Sequence, residues 1–294
     1  MGIIPLDLLF GVKKYPEAGQ KIDGTWLTIQ GGGPVPNVMI GLSRLGFKSS
    51  LIAVIGDDIF GQLTLSELKS EKVDSSQIVI KRKTSAVAAG FVEEGSGRRT
   101  LVLERQLFVE PKDIKLKNLR APRIIHLDGR DMAATLKLAR WAKKVGALVS
   151  FGIGSMRNDV SAVFEYVDHL VVADSYAFGF TKTTNARAAI SKLMKLCPGT
   201  IVVTAGTDGS TGCESGRSFW QPAFKVKNVD TTGAGDAFHT GYLFGLLKGK
   251  DLKERLRLGA AVAAIKCSIA GSRAGLPNVK KLNNFLKNRP KKYA

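Results

Sequence analysis

The second half of the chain alternates short apolar runs with longer segments in which apolar residues recur at helical spacing. This pattern predicts four strands, followed by a hairpin, with helices between and after them. The strands are predicted at 124–127, 147–151, 169–173 and 200–204, the hairpin around 212–220, and the helices at 131–145, 158–167, 185–196, 252–269 and 279–289. Strand–helix alternation is typical of a parallel sheet with helices on both faces, and ligands bind such sheets at the carboxyl ends of the strands.

The first half of the chain contains more extended segments. Apolar runs at 25–30 and 51–55 indicate strands, and helices are predicted at 36–45 and from about 61 to 72. A hairpin across 86–103 turns at its glycine-containing centre, whereas residues 3–10 indicate only a strand end and a loop. We therefore predict a single domain over residues 1–294, with a small β-sheet lid whose strands lie within about 11–31 and 84–105.

The net charge of +19 is the most unusual property of the composition. Basic residues are spread along the chain and rarely alternate with aromatic residues, so the charge favours an anionic substrate over a specific nucleic-acid partner. The densest basic cluster is predicted to be the solvated face of the last helix. It consists of Lys280, Lys281, Lys287, Arg289, Lys291 and Lys292.

The sequence gives little indication of a membrane span, a signal peptide or disulfide bonds. No apolar run reaches the roughly 18 residues that a membrane span needs, and the first residues do not resemble a signal peptide. Cys197, Cys213 and Cys267 are an odd number with wide spacing, which predicts reduced thiols. We expect a cytoplasmic protein without a membrane partner.

The most informative stretch is Asp-Thr-Thr-Gly-Ala-Gly-Asp-Ala-Phe-His at 230–239. It follows an extended run at 224–229 and opens a helix predicted at 236–247. Gly233 and Gly235 permit a sharp turn, and a turn before a helix start leaves N–H groups that can bind negative charge. Asp236, in the first helical turn, is a candidate general base for a hydroxyl group. The alternative interpretation is a tight turn with a capping aspartate.

Two further glycine-rich segments are candidate ligand loops. Gly31-Gly32-Gly33 precedes a helix that contains Asn37, and it matches neither a Walker loop nor a dinucleotide-binding pattern. Thr204-Ala205-Gly206-Thr207-Asp208-Gly209 follows a predicted strand and, taken alone, is consistent with an ordinary loop.

These motifs together resemble the ribokinase-like (PfkB) family of carbohydrate kinases. The ten residues at 230–239 are similar to its C-terminal signature, and Gly32, Gly33, Asn37 and the Arg-Leu-Gly at 44–46 match its N-terminal signature. The resemblance implies a three-layer α/β/α sandwich with a mostly parallel central sheet and a β-sheet lid. It also implies ATP and Mg²⁺ as cofactors and a homodimer formed lid to lid.

The resemblance assigns roles to individual residues. Asp236 is implied as the catalytic base, with an anion hole formed by Gly233, Ala234 and Gly235. The implied sugar-binding residues are Asp7, Gly32, Gly33 and Asn37, and the implied nucleotide-binding residues are Thr204, Gly206, Gly209, Ala263 and Gly271. Asp230 and Thr232, with carbonyl groups near Gly271, are implied to hold a monovalent cation such as K⁺.

Two departures from the family pattern affect these expectations. Many relatives carry Asn-x-x-Glu after the strand that ends near Ala173, a motif linked to magnesium, whereas this chain has Asp174-Ser175-Tyr176 after Ala173. Relatives also carry a full first strand before the segment at 3–10. Its near absence here predicts either a start farther upstream or a sheet that lacks an edge.

Within the family, several segments are similar to ketohexokinases and sulfofructose kinases. In these comparisons Lys21, Arg99 and Arg130 fall in segments that line the sugar pocket, so a ketohexose or an acidic derivative is the predicted acceptor. Ordinary surface cations are the alternative reading of these three residues. A nucleoside kinase of the same family and a catalytically weakened basic binding protein remain alternatives for the function.

Overall fold

The computed structural model describes residues 1–155 and 159–289, which form twelve strands and eight α-helices. The strands are β1 (Leu6–Val12), β2 (Trp26–Gly31), β3 (Ser49–Gly56), β4 (Val73–Lys81), β5 (Val87–Glu93), β6 (Arg99–Glu104), β7 (Ile124–Leu127), β8 (Leu148–Ile153), β9 (His169–Ala173), β10 (Thr200–Thr204), β11 (Ser210–Glu214) and β12 (Arg217–Gln221). The helices are α1 (Pro34–Arg44), α2 (Ile59–Ser70), α3 (Met132–Lys144), α4 (Asp174–Thr181), α5 (Ala186–Leu193), α6 (Ala234–Leu247), α7 (Leu252–Cys267) and α8 (Val279–Lys287).

The main sheet is mostly parallel and is interrupted in its interior. Strands β7, β8, β9 and β10 are parallel, and the antiparallel β11 and β12 extend the sheet at one end. The parallel pair β3–β4 is separate. Residues 1–4 lie between the two parts, since the Gly2 N–H donates to the Ile52 carbonyl (3.3 Å) and the Met1 amino group donates to the His126 carbonyl (2.7 Å). The expectation of a missing edge is therefore wrong, because the irregular segment lies inside the sheet.

Alternating residues of the strands build the two helix-covered faces of this sheet. In β9, Leu170 and Val172 pack in the same apolar cluster as α3, α4 and α5. Val171 between them packs with α1, α6 and α7 on the opposite face. The helices therefore form two layers around the sheet, as the predicted three-layer architecture requires, and α6 brings its N-terminus to the carboxyl ends of the strands.

A four-stranded lid has the order β2-β1-β5-β6. Its first strand, Leu6–Val12, corrects the interpretation of residues 3–10 as a strand end and a loop. The sequence obscured this strand because Pro5 precedes it and the charged Asp7 interrupts its apolar run. Asp7 pairs with Gln30 and Ala88 and is buried on one face of the lid, whereas the neighbouring Leu8 belongs to the other face.

Three other predictions differ from the structure. Residues 224–229 form no strand, and the Val229 N–H instead donates to the Cys267 carbonyl at the end of α7 (2.8 Å). Helix α4 was not predicted, since its aromatic, glycine and threonine residues have modest helix propensity. The predicted helix at 158–167 is a 3₁₀ helix at Ser161–Tyr166, and its first predicted residue lies outside the described residues.

Other features follow the sequence more closely. The three cysteines form no disulfide. Lys280, Lys281 and Lys287 are exposed along α8, while Lys291 and Lys292 lie outside the described residues. Within residues 1–155 and 159–289, the structure contains no helix of the length and apolar character required to span a bilayer.

Candidate active site

The loop at 230–236 and the start of α6 form the floor of the candidate site. Gly233 has φ 74°, a left-handed conformation that favours glycine, and a Cβ there would crowd Ser272. The Ala234 N–H donates to the Thr231 carbonyl (3.1 Å). By contrast, the N–H groups of Gly235 and Asp236 have no acceptor in the described part of the chain, and a Cβ at Gly235 would enter open space. These two donors at a helix N-terminus can bind an anion.

Asp236 combines a raised pKa with a defined hydrogen bond. Its Oδ2 accepts from Asn37 Nδ2 at 2.7 Å. Burial raises the pKa of Asp236, while this hydrogen bond and the positive charges of Arg99, Lys266 and Arg273 oppose the shift. A carboxylate whose proton affinity is increased in this way is suited to act as a general base.

A buried arginine holds Asn37 in the orientation that this contact requires. Arg273 Nε donates to Asn37 Oδ1 at 2.8 Å. Because arginine can only donate, the amide oxygen of Asn37 must face Arg273 and its NH₂ group must face Asp236. Arg273 is 2% exposed, and it also donates to Glu67 Oε2 (2.6 Å) and to the Gly32 carbonyl (2.8 Å). One side chain thus connects the glycine segment, α2 and the base.

Asp7 lies on the lid directly above the glycine segment. A Cβ at Gly32 would overlap the Asp7 carboxylate, and a Cβ at Gly33 would overlap the Ile3 carbonyl, so both glycines permit a close backbone approach. Burial raises the pKa of Asp7 to about 7; Arg273 opposes the shift and the negative charge of Asp236 adds to it. Asp7, Gly32, Asn37 and Asp236, which the sequence placed at the sugar, are therefore close neighbours.

The lid contacts the floor of the site through its hairpin and through β2. Thr231 Oγ1 donates to the Gly97 carbonyl (2.9 Å), and Arg99 Nη1 donates to the Thr231 carbonyl (3.3 Å). Gln30 Nε2 donates to Ser272 Oγ at 3.0 Å. These contacts close the lid over the loop at 230–236 and bring Arg99 close enough to act electrostatically on Asp236.

The other two predicted cations occupy different surroundings. Arg130 follows β7, and its N–H donates to Asp128 Oδ1 (3.0 Å), while Asp128 Oδ2 accepts from the Ile3 N–H (2.9 Å). Because the Ile3 carbonyl abuts Gly33, these contacts link the backbone of the exposed Arg130 to the glycine segment. Lys21 is exposed in the β1–β2 connection, and no contact among residues 1–155 and 159–289 joins it to the other site residues.

The predicted nucleotide-binding residues surround the end of β10 and the loop after α7. Gly206 and Gly209 have φ values of 53° and 89°, and Ala205 N–H donates to the Gly209 carbonyl (2.8 Å), closing a tight turn after Thr204. Ala263 is half-buried in α7. Gly271, with φ 87°, donates its N–H to Asp230 Oδ2 at 2.7 Å, which ties the loop after α7 to the floor loop.

Asp230 is completely buried and engages several donors. Its Oδ1 accepts from the Thr232 N–H (2.7 Å) and its carbonyl accepts from Lys266 Nζ (2.6 Å). The Thr232 hydroxyl has no hydrogen-bond partner among the described residues. The Asp230 oxygens, which the family resemblance assigns to a monovalent cation, are thus occupied by donors of the chain itself.

The side chains of the described residues provide no dedicated magnesium cage. The described residues contain no group of three His, Cys, Asp or Glu side chains arranged to hold a metal ion. Asp174, in place of the missing Asn-x-x-Glu, lies in the first turn of α4 and accepts from the Ser175 N–H. Mg²⁺ commonly takes most of its ligands from substrate phosphates and water, so a metal in this site would depend on the nucleotide.

Sequence reasoning did not assign roles to three charged residues that organise the site: Glu67, Lys266 and Arg273. Their contacts join positions far apart in the chain, and no local motif encodes such contacts. One signal was available for Lys266, which is a single charged residue at the end of the apolar helical run 259–265. Such a residue in a buried helix requires a partner.

Comparisons with known proteins identify the family and the fold of this chain. The sequence model of the pfkB family carbohydrate kinases matches residues 2–279. A 5-dehydro-2-deoxygluconokinase from Shouchella clausii is 28% identical over 276 residues, covering 85% of this chain and 84% of that protein. The crystal structure of a ribokinase from Thermotoga maritima superposes with a TM-score of 0.85 at 22% identity, covering 98% of each chain. A nucleoside kinase from Methanocaldococcus jannaschii gives 0.76 at 24% identity, covering 98% of this chain and 97% of that one.

Proposed function

The chain belongs to the pfkB family of carbohydrate kinases, which use ATP to phosphorylate a sugar hydroxyl, and we propose that its acceptor is an anionic sugar. The acceptor is a ketohexose or a related sugar that carries a carboxylate or a similar acidic group. The observation that carries this proposal is the backbone position of Arg130, which is linked through Asp128 and Ile3 to the glycine segment of the site. Its exposed side chain has no hydrogen-bond or ion-pair partner among the described residues, so we propose that its guanidinium binds the acidic group of the acceptor.

In the proposed reaction, Asp236 removes the proton of the acceptor hydroxyl as the oxygen bonds to the γ-phosphorus. The bond between that phosphorus and the β–γ bridging oxygen breaks, and ADP leaves. The N–H groups of Gly235 and Asp236 and the N-terminus of α6 stabilise the negative charge on the transferring group. A bound Mg²⁺ would supply further charge neutralisation.

The remaining site residues position the reactants. Asn37, oriented by Arg273, directs the Asp236 carboxylate, and Asp7 accepts hydrogen bonds from other hydroxyls of the sugar. The closed lid excludes water that would otherwise compete for the phosphoryl group. Thr204, Gly206, Gly209, Ala263 and Gly271 form the nucleotide side in this proposal.

The anionic acceptor is proposed from the chemistry of the cations. Arginine can bind a carboxylate, phosphate or sulfonate with two parallel hydrogen bonds, a capacity that a neutral hydroxyl uses only in part. Arg99 is a second cation near the reacting groups, and Lys21 can add a third when the lid adjusts around a ligand. One related protein is named as a kinase of a gluconate derivative, and gluconate is an acidic sugar.

The finer subgroup prediction does not match these relatives. These relatives are a 5-dehydro-2-deoxygluconokinase, a ribokinase and a nucleoside kinase, and none of the three is a ketohexokinase or a sulfofructose kinase. We therefore propose the charge of the acceptor and leave its carbon skeleton to a substrate screen. The likeness to the nucleoside kinase concerns the fold alone, so nucleosides enter that screen as an alternative outcome.

The screen measures ATP-dependent phosphorylation of fructose, ribose, nucleosides, and carboxylated and sulfonated ketoses. We expect kcat/KM for an anionic sugar to exceed that for its neutral counterpart by about 10²-fold, as two charge-assisted hydrogen bonds would give. Arg130→Ala should remove most of this preference, whereas Arg187→Ala, on the exposed face of α5, should leave it unchanged. A preference for neutral sugars or nucleosides that Arg130→Ala does not alter would exclude the anionic acceptor.

We also propose that the chain forms a homodimer through the outer face of its lid. Strand pairing brings Phe10, Leu27, Ile29 and Val102 to the face opposite Asp7, with exposed fractions of 41%, 53%, 55% and 72%. A continuous exposed apolar face marks an association surface, and a second copy presents a complementary one under two-fold symmetry. Light scattering should report a dimer for the parent and for Val279→Glu on α8, and a monomer for Ile29→Glu/Val102→Glu. A monomeric parent would contradict the proposal.

A further inference from the structure

Helix α7 ends with a buried lysine that points at the floor of the active site. The run from Gly259 to Ile265 carries no charge, and the next residue, Lys266, is 0% exposed. Its Nζ donates to the Asp230 carbonyl at 2.6 Å and lies 3.7 Å from Asp230 Oδ2. A fully buried ammonium is costly unless it is paired and hydrogen-bonded, so this contact is a requirement of the fold.

The partner of this ammonium is the residue that the family resemblance assigns to a soluble monovalent cation. The Asp230 carboxylate accepts N–H groups from Thr232 and Gly271, both at 2.7 Å, while its carbonyl faces Lys266. The Thr232 hydroxyl lacks a partner among the described residues, and carbonyl groups near Gly271 complete the ligand set that the resemblance implies. The Asp230 carboxylate, the one negative charge in this set, already faces the fixed positive charge of Lys266.

We propose that the Lys266 ammonium takes the place of a soluble monovalent cation, so that this kinase works without K⁺. The ammonium carries the same charge as K⁺ and faces both the carbonyl and the carboxylate of Asp230. It is attached to α7, which is buried over most of its length, so this charge cannot dissociate. Gly275 packs against the Lys266 backbone, where a Cβ would lie 2.6 Å from the Lys266 carbonyl oxygen.

A fixed charge at this position acts on the reaction through the floor loop. Asp230 begins the loop whose far end carries Gly235 and Asp236, and the Lys266 charge opposes the burial that raises the pKa of Asp236. Burial lowers the pKa of Lys266 itself, and the facing Asp230 carboxylate opposes that shift. The ion pair therefore holds the loop, and the Lys266 ammonium acts electrostatically on Asp236 without a metal ion.

The first experiment needs no variant. The activity and the Tm of the parent enzyme are measured at constant ionic strength in tetramethylammonium chloride, NaCl and KCl. We expect kcat/KM to vary by less than about 2-fold and Tm by less than about 1 °C, because no site gains a ligand that binds the folded state. A rise of about 10-fold in kcat/KM, or of several degrees in Tm, that is specific to K⁺ would overturn the proposal.

The second experiment removes the ammonium with Lys266→Met, which keeps the apolar part of the side chain. The buried Asp230 carboxylate is then unpaired and should recruit a cation, so the Tm of the variant should rise with K⁺ by several degrees relative to tetramethylammonium. Its kcat/KM should fall about 10-fold or more without K⁺ and recover in part with it. Lys253→Met, an exposed position of the same helix, should behave like the parent.

The Tm readout does not depend on which sugar is phosphorylated, so it separates this inference from the proposal about the acceptor. A folded Lys266→Met variant with parental activity and no response to K⁺ would overturn the inference. If the variant does not fold, the salt series on the parent still decides the question.

Discussion

At the scale of single residues, the site contains two carboxylates whose surroundings suit them to different tasks. Asp236 lies at the start of α6 with one amide donor, Asn37, on its Oδ2. Asp7 lies on the lid, buried, with no hydrogen-bond donor to its side chain among the described residues. One oxygen of Asp236 is therefore available to take the proton of a reacting hydroxyl. The Asp7 carboxylate is available to accept hydrogen bonds from hydroxyl groups of the sugar.

Replacing Asp236 with asparagine tests the first assignment. Asp236→Asn keeps the shape of the side chain but removes its ability to take a proton, so kcat should fall about 10²-fold or more while the Kd for ATP stays nearly constant. Steady-state kinetics and calorimetric titration with ATP measure the two quantities. Asp251→Asn, which preserves a helix cap far from the site, is the matched control, and near-parental turnover of Asp236→Asn would refute the assignment.

The pH dependence of sugar binding tests the second assignment. The pKa of Asp7 is raised to about 7, so the carboxylate that accepts hydroxyl hydrogen bonds is lost as the pH falls through 7. The KM for the sugar should therefore rise about 10-fold between pH 8 and pH 6, since roughly nine-tenths of the carboxyl groups are protonated one unit below their pKa. Asp7→Asn should have a higher KM that no longer changes over this range. An unchanged pH profile in Asp7→Asn would show that another group controls binding.

The residues found from the sequence are those with local signatures. Gly233 and Asp236 were predicted because a glycine turn before a helix is encoded within ten residues, and Asn37 was assigned through the resemblance to the family's N-terminal signature. Arg273 and Lys266 were missed as functional residues, because their partners are 236 and 36 positions away. Buried charges of this kind depend on tertiary pairing, which the spacing of residues in one segment does not reveal.

At the scale of elements, the entry from β2 into α1 is held by side chains of other elements. The Gly31 N–H donates to Glu67 Oε2 at 2.6 Å, and the same oxygen accepts from Arg273. Arg44 donates to the Arg273 carbonyl (2.7 Å) and pairs with Glu71. The connection from β2 into α1 and the Asn37 amide that orients Asp236 therefore share one network of charged side chains.

Arg273→Lys tests the importance of this network. A lysine keeps the charge but cannot reach three acceptors in fixed directions, so the Gly32 carbonyl or the Asn37 amide loses its donor. We expect a loss of about 2–4 kcal/mol in the free energy of unfolding, measured by urea denaturation, because a buried network is left incomplete. Turnover should fall about 10-fold or more with a smaller change in the KM for ATP. The exposed Arg187→Lys should change neither, and parental turnover in Arg273→Lys would contradict the positioning role.

The elements predicted correctly are those with a clear period. Strands β9 and β10 coincide with the predicted runs at 169–173 and 200–204, because buried parallel strands are short and continuously apolar. Strand β1 was missed because its buried Asp7 serves the site and breaks the apolar pattern. Helix α4 was missed because its eight residues give too few turns for a helical period to emerge.

At the scale of the whole molecule, every histidine is held in its neutral form by burial. The pKa values of His169 and His239 are lowered to about 4, and that of His126 is lowered well below its usual range. Burial is the largest cause in each case, and Arg255 adds to the shift at His169. The unfolded chain therefore takes up these protons at a higher pH than the folded chain.

The sign of the effect on stability follows from this difference. Stability that is present above about pH 6.5 is lost as the pH falls toward 4, because protons bind first to the unfolded state. The free energy of unfolding, and with it Tm, should decrease between pH 7.5 and pH 5. His169→Gln should remove about 2 kcal/mol of the decrease in free energy. Differential scanning calorimetry of the parent, His169→Gln and the double variant with His239→Gln measures this pH dependence. Equal pH slopes in all three proteins would show that other groups cause the acid sensitivity.

The interruption of the main sheet bears on how the molecule opens. In the described part of the chain, β3–β4 is joined to β7–β12 along the sheet only through residues 1–4, so few main-chain hydrogen bonds cross the boundary. The β3–β4 pair with α2 is therefore a candidate for partial unfolding as a separate cooperative unit. In native-state hydrogen exchange, β4 amides should exchange through an opening of lower free energy than those of β9, whose protection should track global unfolding. Deuterium uptake would then divide one catalytic domain into two regions of unequal stability, with Glu67 of the site's charged network on the less stable region and Asp236 on the more stable one.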